Sequence, residues 1–449
     1  MQEPYFLLPY PLKVIVTGAL AFGKKYEKYG ETYRKYFDFL ISSDIDEQTN
    51  LAEIQLVSFL EQQAKTSSFY QIPASLSLQE MPVITKREVL QNYARILNGK
   101  PFKIVKTSGT TGTPLSVPYC REVYQKEYAF WWYHRSFCDV HKGEKVATFG
   151  GHLVTDTNKN VSPFWVFNWA ENQLFFSSYH LSPVNLPYYI EKLNSFQPVF
   201  IHGYPSSLFL VAKHIIENNI ELHFIPKMIV TASETTFDFQ RKVIEEAFKT
   251  KLFIWYGNVE YCGHITECIH GKLHVQPFHS HIRILGDDGT EVKKGEEGSI
   301  VATNFTNTIF PLINYDTKDI VRLSKEQSCK CKKGGTVIDY IAGRMEDYII
   351  TPDGRYIGRL SQLFKNAKNV RNAQIVQNTL DNIIIRIVKE PGYNNKSEQN
   401  IFNDAVARLG NKMEVIFEYV DEIPKNKNGK FSLIIQNIKG NITGKAEFQ

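Results

Sequence analysis

The sequence lacks a long apolar run, an internal repeat and a strong excess of charge of either sign. Its 52 lysines and arginines stand against 47 aspartates and glutamates, and the net charge of +5 is too small and too evenly spread to favour nucleic-acid binding. No apolar run approaches the roughly 18 residues of a membrane-spanning helix, and the apolar stretch 14–22 is short and lacks the basic region that precedes a secretory signal core. Six cysteines in 449 residues do not suit a secreted disulfide framework, so we expect a reducing cytoplasm.

From about residue 198, short apolar strands alternate with helices. Strands are predicted at 199–201, 228–230 and 252–255, and the helices between them begin at Pro205 and near residue 237. Strands that alternate with helices form a parallel sheet with helices packed on its faces. We therefore predict an α/β fold with mostly parallel sheets.

The rest of the pattern predicts two domains. Between 282 and 323, short strands separated by glycine-rich turns indicate a β-rich subdomain, and a boundary falls near Gly343. Beyond it, strand, helix and strand patterns return, as in a small α/β domain. The chain is also longer than one core usually is. We predict a large N-terminal domain over 1–342 and a small C-terminal domain over 343–449.

A loop of hydroxyl and glycine residues follows a predicted strand that ends near Val105. It has the composition of a phosphate-binding loop, because glycines let backbone N–H groups approach a ligand and hydroxyls add donors. The P-loop pattern G-x-x-x-x-G-K-[ST] is absent from the chain. An ordinary polar turn is the alternative interpretation. The candidate phosphate ligands are Thr107, Ser108, Gly109, Thr110, Thr111 and Gly112.

Polar residues follow three of the predicted strands. They are His202-Gly203-Tyr204, Thr231-Ala232-Ser233-Glu234 and Tyr256-Gly257-Asn258-Val259-Glu260. Ligands of open α/β sheets bind beyond the carboxyl ends of the strands. We therefore expect these three segments to line one crevice, although each could be a plain strand-to-loop transition.

Five motifs in order carry a resemblance to a known family. Ser-Gly-Thr-Thr-Gly at 108–112 is followed by Tyr-Gly-x-x-Glu at 256–260, Tyr-Asp-Thr-Lys-Asp at 315–319, Gly-Arg-Met-Glu-Asp at 343–347 and Gly-Lys at 429–430. In this order they resemble the adenylate-forming superfamily of acyl-CoA synthetases and adenylation domains. The segments Pro82–Lys86, Gly203–Ser207 and Glu267-Cys268 resemble the phenylacetate–CoA ligase branch, and within it the CapK-like proteins of capsule clusters. The resemblance covers essentially the whole chain.

The resemblance implies roles for individual residues. The loop at 108–112 would hold the ATP phosphates, and Glu260 would bind Mg²⁺. Lys430, on a mobile C-terminal domain, would stabilise charge that develops between the acid and the α-phosphate, and Glu346 would be the hinge. The residues around the adenine and ribose would be Ser233, Glu234, Tyr256, Gly257, Asp319 and Arg344. Taken singly, Glu260 could be a surface helix residue, Asp319 a turn residue, and Lys430 one member of a solvated basic run.

The implied reaction has two halves. An acid and ATP give an acyl-adenylate and pyrophosphate, and a nucleophile then displaces AMP. The acceptor would be CoA, or alternatively an amine or hydroxyl of a sugar in capsule or surface polysaccharide biosynthesis; a catalytically silent nucleotide-binding protein is the third interpretation. Two departures from the family pattern, Lys318 in place of Gly and Thr113 in place of Lys, argue against assuming full acyl-CoA synthetase activity.

The acid pocket is predicted between the phosphate loop and the segments 146–152 and 199–235. Its polar candidates are His152, Tyr204 and Ser206, although His152 and His202 could equally be structural histidines. The identity of the acid is left open. The oligomeric state is left open as well, a homodimer included.

Cysteines and a histidine at the end of the β-rich region indicate a structural zinc site. Cys329 and Cys331 form a C-x-C pair, and Cys268 and His274 lie upstream. Three thiolates and one imidazole suit tetrahedral zinc, and some relatives in the phenylacetate branch look zinc-bearing in this same segment. Unligated thiols are the alternative, since C-x-C is tighter than the usual C-x₂-C. The competing ligands are His264, His270 and Cys262.

Overall fold

The structure, a computed structural model, describes residues 5–107, 115–152, 154–156, 161–182, 184–234, 236, 238–343, 348–352, 356–358, 360–364, 369–389, 391–423 and 434–438. These residues form two compact units, one up to residue 343 and one from residue 348 onward. Among the described helices, none is long and apolar enough to cross a membrane.

Helices open the chain and return between the central strands. The second-longest, α1, begins after Pro9, and α3 begins after Asp44, whose carboxylate accepts the backbone N–H groups of Asp46 and Glu47. Short 3₁₀ turns cover Leu78–Glu80 and Leu360–Phe364. The described α-helices are α1 (Tyr10–Lys28), α2 (Glu31–Ser42), α3 (Ile45–Thr66), α4 (Lys86–Gln91), α5 (Tyr93–Ile96), α6 (Arg121–Ser136), α7 (Leu186–Phe196), α8 (Pro205–Glu217), α9 (Asp238–Phe248) and α10 (Asn395–Leu409).

The described strands of the first unit are β1 (Lys103–Lys106), β2 (Ser116–Tyr119), β3 (Val146–Gly150), β4 (Trp165–Asn168), β5 (Gln173–Ser177), β6 (Phe200–Gly203), β7 (Met228–Ala232), β8 (Leu252–Gly257), β9 (His264–Glu267), β10 (Leu273–Val275), β11 (His281–Leu285), β12 (Glu297–Asn304), β13 (Leu312–Leu323) and β14 (Val337–Gly343). Apart from the β1–β2 hairpin, they form one twelve-stranded sheet in the order β11-β12-β13-β14-β10-β9-β8-β7-β6-β3-β5-β4.

The centre of this sheet is parallel. Strands β5, β3, β6, β7 and β8 run in one direction, with Ile201 beside Ile229 and Thr231 beside Ile254. Buried parallel strands carry continuous apolar runs because helices cover both faces. Side chains of successive residues point to opposite faces, so Phe200 packs into the core on one face of β6 and Ile201 into the core on the other.

The second unit contains the hairpin of β15 (Tyr348–Ile350) and β16 (Tyr356–Gly358) and a four-stranded sheet. The strands of that sheet are β17 (Val370–Gln377), β18 (Asn382–Lys389), β19 (Glu414–Tyr419) and β20 (Ile434–Gln436), in the order β19-β18-β17-β20. Its core contains alternate residues of β18, such as Ile383 and Ile385, and the residues Ile401, Ala405 and Leu409 of α10. The spacing of four residues along α10 places those three side chains on one helix face.

The predicted α/β fold class is confirmed, including the parallel strands, the β-rich part and the smaller α/β unit. The sequence did not show that the β-rich strands join the parallel ones in a single sheet. This happens because β9 turns back after Gly263 and pairs antiparallel with β8, which continues the hydrogen-bonded ladder into β10 and β14.

Candidate functional site

The predicted phosphate loop begins at Thr107, directly after β1, in the connection that leads to β2. Thr107 donates its backbone N–H to Leu115 O at 2.9 Å, and its Oγ1 accepts the N–H of Leu115 at 3.0 Å. These two bonds bring the ends of the loop together. The candidate ligands Ser108, Gly109, Thr110, Thr111 and Gly112 lie outside the described residues.

Two of the three strand ends predicted to share a crevice are in direct contact. Glu234, which follows β7, accepts the backbone N–H of Ser206 at 3.2 Å in the first turn of α8. A carboxylate at a helix N-terminus is stabilised by the helix dipole and by otherwise unpaired N–H groups. The preceding residue, Ser233, has a left-handed φ of 74°, which is unusual for a residue with a side chain. The backbone around Glu234 is therefore held in a sparsely populated conformation.

The predicted acid-pocket residues lie at the ends of β3 and β6. The hydroxyl of Tyr204 accepts the backbone N–H of Gly151 at 2.9 Å, and a Cβ at position 151 would lie 2.6 Å from that hydroxyl. His152 follows, with its ring 4.5 Å from the ring of Phe175. Tyr204 and His152 are therefore neighbours along one edge of the parallel strands, as the topology predicts.

His202 has a different environment. Its ring packs edge-on against Trp131 of α6, with centroids 4.7 Å apart, and removal of the ring from water lowers the pKa of His202 well below its usual range. The positive charge of Arg135 lowers it further. His202 is therefore a neutral histidine under α6.

Two tyrosine–carboxylate hydrogen bonds join strand β8 and the loop after it to strand β13. Tyr315 donates its hydroxyl to Glu260 Oε1 at 3.1 Å, and Tyr256 donates its hydroxyl to Asp319 Oδ2 at 2.8 Å. Burial, and then the charge of Asp319, raise the pKa of Tyr256 well above its usual value, so this tyrosine stays a donor. The two predicted acidic ligands of the nucleotide site are thus oriented by hydrogen bonds from the same pair of elements.

The loop that carries Glu260 is fixed through its backbone. Asn258 donates to Cys262 O at 2.5 Å and accepts the Cys262 N–H at 2.8 Å, while the hydroxyl of Tyr119 donates to Val259 O. Tyr261, next to Glu260, has a left-handed φ of 53°. Sequence reasoning did not identify Asn258 and Tyr119 as supports, because bonds to backbone atoms leave no spacing pattern in the chain.

The turn before Asp319 contains one departure from the family pattern, a lysine at a glycine position. Lys318 occupies the position where the family has glycine, and its φ is 65°. Glycine adopts this conformation without strain, whereas lysine does not. The ammonium of Lys318 pairs with Asp316, and the Lys318 N–H donates to Asp316 Oδ1 at 2.9 Å. Local bonds to Asp316 therefore stabilise a left-handed lysine at this turn.

The structure brings together the four residues that the sequence singled out for a metal. The ligand atoms of Cys268, His274, Cys329 and Cys331 all lie within 4.8 Å of one another. Cys268 Sγ is 3.7 Å from Cys329 Sγ, and Cys331 Sγ is 3.3 Å from His274 Nε2. On the other side of the ring, His274 Nδ1 lies 3.2 Å from Gly335 O, which suits an Nδ1–H donor and leaves Nε2 toward the sulfurs. This donor set fits zinc.

The competing ligands lie elsewhere. Cys262 is in the loop after Glu260, and His270 is exposed in the turn between β9 and β10. His264 belongs to a second group with Glu127 and His279. The structure therefore groups His274, rather than His264 or His270, with the three cysteines.

The second group supports the Glu260 loop. His279 Nε2 lies 2.8 Å from Glu127 Oε2, His279 Nδ1 lies 3.2 Å from Ser280 Oγ, and Ser280 Oγ accepts the N–H of Gly263 at 2.9 Å. Burial, and then the charge of Lys126, lower the pKa of His279 well below its usual range. A further cation is disfavoured beside Lys126, so we interpret this group as a buried hydrogen-bond network.

Three other predicted residues lie outside the described residues. They are Arg344, Glu346 and Lys430.

Comparisons with known proteins identify the family. The family model of the CapK C-terminal domain matches residues 349–437. The chain is 31% identical over 376 residues to protein CapK of Staphylococcus aureus, and the match covers 81% of this chain and 81% of that protein.

Among solved structures, the chain is similar to 2-hydroxyisobutyryl-CoA ligase in complex with 2-HIB-AMP and CoA, with a TM-score of 0.55, 15% identity and coverage of 87% of this chain and 90% of that one. The same ligase in its postadenylation state with 2-HIB-AMP gives a TM-score of 0.50 at 14% identity, over 86% of this chain and 88% of that one. At this level of identity the similarity concerns the fold. The chain belongs to the CapK family and has the fold of the adenylate-forming ligases.

Proposed function

We propose that this protein is an adenylate-forming ligase that activates a carboxylic acid with ATP. A carboxylate oxygen of the acid attacks the α-phosphorus, the bond to pyrophosphate breaks, and an acyl-adenylate forms. A nucleophile then attacks the acyl carbon, and AMP leaves. Membership of the CapK family, the ligase fold and the order of the five motifs support this proposal.

The two tyrosine–carboxylate hydrogen bonds are the observation that carries the proposal. In the proposed site Glu260 holds Mg²⁺, and Asp319 accepts hydrogen bonds from the ribose hydroxyls. Mg²⁺ is usually bound through one or two carboxylates together with substrate phosphates, so a single oriented glutamate is a fitting ligand. Tyr315 and Tyr256 orient these carboxylates before any ligand binds, and such preorganised groups need little rearrangement during the reaction.

The other residues proposed to contact the nucleotide are those that the family resemblance implies. The loop over Thr107 to Gly112 would hold the phosphates, while Ser233, Glu234, Tyr256 and Gly257 would flank the adenine. Arg344 would lie near the ribose. The contact between Glu234 and the first turn of α8 supports a crevice at the ends of β6 and β7.

The acid would enter along His152, Tyr204 and Ser206. His152 and Tyr204 lie at the ends of neighbouring strands, and the Tyr204 hydroxyl is oriented by Gly151. The ring of Phe175, 4.5 Å from the ring of His152, would contribute an apolar wall to this pocket.

The C-terminal domain over 343–449 is proposed to move relative to the domain over 1–342, with Glu346 as the hinge. Lys430 would then reach the charge that develops between the acid and the α-phosphate. The CapK C-terminal family match, which spans position 430, supports assigning a family role to this region. A lysine is a compact point charge and suits electrostatic stabilisation of a growing negative charge.

Two acceptors compete for the second half-reaction. One is CoA, as in phenylacetate–CoA ligases. The other is an amine or hydroxyl of a sugar in capsule or surface polysaccharide biosynthesis, which the relationship to CapK favours. Both use the same adenylation residues. The six cysteines, all in the described part of the chain, form no disulfide there, which agrees with a reducing cytoplasm as the location of either reaction.

We also propose that Cys268, His274, Cys329 and Cys331 hold one structural zinc ion. The ion would link the end of β9 and strand β10 to the segment between β13 and β14. Burial raises the pKa of Cys331 to about 12, so this thiol would release a proton on binding zinc. Metal analysis of the purified protein, with Cys138→Ser as the control variant, tests the assignment; a stable preparation without zinc contradicts it.

The proposed reaction is tested by a screen of carboxylic acids with ATP. Pyrophosphate release with hydroxylamine as trap detects the adenylate, and the same acids are then offered with CoA and with amino sugars. We expect at least one acid to support release and one acceptor to give a stable product. If no acid releases pyrophosphate, the proposal is replaced by the interpretation that the protein binds a nucleotide but is catalytically silent.

A further inference from the structure

Helix α1 exposes an apolar face. Among the side chains on this face, Ile15 is 57% exposed, Leu20 60%, Phe22 48% and Tyr26 73%. Large apolar side chains on a folded surface are common one at a time, but a contiguous set marks an interaction site. We call this set the α1 apolar face; its members are Leu12, Ile15, Ala19, Leu20, Phe22 and Tyr26.

One flank of the α1 apolar face is firmly packed. A Cβ at Gly18 would lie 1.9 Å from Trp169 Nε1, so α1 lies directly against the indole that follows β4. At the end of the helix, Lys28 Nζ pairs with Glu171 at 2.7 Å. Trp169 is itself 46% exposed and stacks on Phe22 with ring centroids 6.0 Å apart. The exposed face is thus presented by an anchored helix, and an indole extends it.

The charges along helix α1 are mainly positive, with Glu27 near its end as the acidic exception. The sequence has no aspartate or glutamate between residues 5 and 26, and the exposed Lys24 and Lys25 flank the two edges of the face near the end of the helix. A helix that combines apolar and aromatic residues with exposed lysines is typical of segments that lie in a membrane interface. Exposed lysines are attracted to anionic lipid headgroups.

We propose that α1 is a membrane-surface docking element, with its apolar face inserted among the headgroups of a bilayer that contains anionic lipid. The face is broad: at about 100° per residue, Phe22 and Leu20 stand about 160° apart around the helix. The apolar stripe along which two helices pair covers a narrower arc of the helix surface than this face does.

The area of the face also favours a membrane over a second copy of the chain. Each large side chain on it exposes on the order of 100 Å², which gives roughly 500 Å² for the face. A stable interface between two proteins buries about 800 Å² on each partner. A bilayer needs no such complementary area, because its apolar interior accepts each inserted side chain independently.

Flotation of the full-length protein with lipid vesicles tests the proposal. We expect binding to vesicles of phosphatidylcholine mixed with phosphatidylglycerol, and weaker binding to phosphatidylcholine alone. Ile15→Glu/Phe22→Glu should lower binding by about ten-fold or more, because two charges enter the apolar region. Lys24→Gln/Lys25→Gln should weaken binding to the anionic vesicles alone and reduce its dependence on salt.

The matched control is Ile54→Glu/Ile225→Glu, which adds the same charges at two positions that are each 65% exposed and outside α1. It should bind as the unchanged protein does. The proposal is overturned if the unchanged protein fails to float with anionic vesicles at low salt, or if Ile15→Glu/Phe22→Glu binds equally well. It is also overturned if the protein is a dimer that Ile15→Glu/Phe22→Glu dissociates while no vesicle binding occurs, since a second copy then covers the face.

Discussion

Lys126 provides a quantitative test of the packing beneath the predicted nucleotide site. It lies in the middle of α6 and is 1% exposed, with its Nζ donating to Thr306 Oγ1 at 2.7 Å. The rings of Tyr36, Phe278 and Phe305 surround the ammonium, with centroids between 4.6 and 5.0 Å from Nζ. A lysine this deeply buried is unfavourable when charged, even with favourable ring contacts.

Burial lowers the pKa of Lys126 to about 7 from its usual 10.5, against a smaller raising effect of Glu122. The unfolded chain therefore binds more protons than the folded chain at pH values between these two pKa values. Stability must rise with pH across this window, and the change is complete above the unfolded value. Each pKa unit corresponds to about 1.4 kcal/mol, so the gain from about pH 7 to about pH 9.5 is roughly 3 kcal/mol.

The perturbation is Lys126→Met, which keeps the length of the side chain and removes its charge. We expect the free energy of unfolding of the unchanged protein, minus that of the variant, to rise by roughly 3 kcal/mol over that pH range. Urea unfolding followed by tryptophan fluorescence measures it, because all five tryptophans lie in the first unit and report on that unit alone. A difference that does not change with pH would refute the reasoning.

Three further predictions concern the site and the sheet. Tyr315→Phe removes the hydrogen bond to Glu260 and should lower acid-dependent pyrophosphate exchange about ten-fold, as loss of a bond to a charged group costs about 1.5–3 kcal/mol, whereas Tyr340→Phe, which alters a surface bond, should not. Cys331→Ser should lower the thermal midpoint and the zinc content together; a loss of midpoint at full zinc content would contradict the site. Gly203→Ala should destabilise the first unit by about 1–3 kcal/mol in urea unfolding, because its Cβ would lie 2.7 Å from a backbone oxygen of β3; unchanged stability would contradict this.

The parallel strands at the centre of the sheet were predictable because the residue patterns that mark them lie within short stretches of the chain. Strands such as β7 are continuous apolar runs, and Pro205 marks the start of the helix that follows β6. The same locality makes the strand ends predictable, and the contact between Glu234 and Ser206 lies where the topology places it.

The α1 apolar face shows where the sequence was less informative. Residues 14–22 form an apolar stretch that could be compared with a signal or a membrane span, but its helical spacing does not say which side is buried. Gly18 is buried while Ile15 is exposed, and the burial of Gly18 depends on contact with Trp169, some 150 residues away in the chain. Contacts of that kind follow from the tertiary structure alone.

The sequence motifs single out the charged residues of the candidate site but not the residues that orient them. The motif that contains Tyr315 and Asp319 points to both, yet nothing in it pairs Tyr315 with Glu260 rather than with Asp319. That pairing depends on the register of β13 against its neighbours, which includes bulges. A shift of one residue would turn each side chain to the other face of the sheet.

Acid-dependent exchange of labelled pyrophosphate into ATP tests the central claim most directly. With an acid found in the screen, the unchanged protein should catalyse exchange, and Glu260→Gln should lower the rate by at least about a hundred-fold, because the proposed metal ligand loses its charge. Folding of the variant is verified by an unchanged urea midpoint. Exchange that continues at the original rate in a folded Glu260→Gln variant would contradict the assignment of Glu260 and of the site built around it.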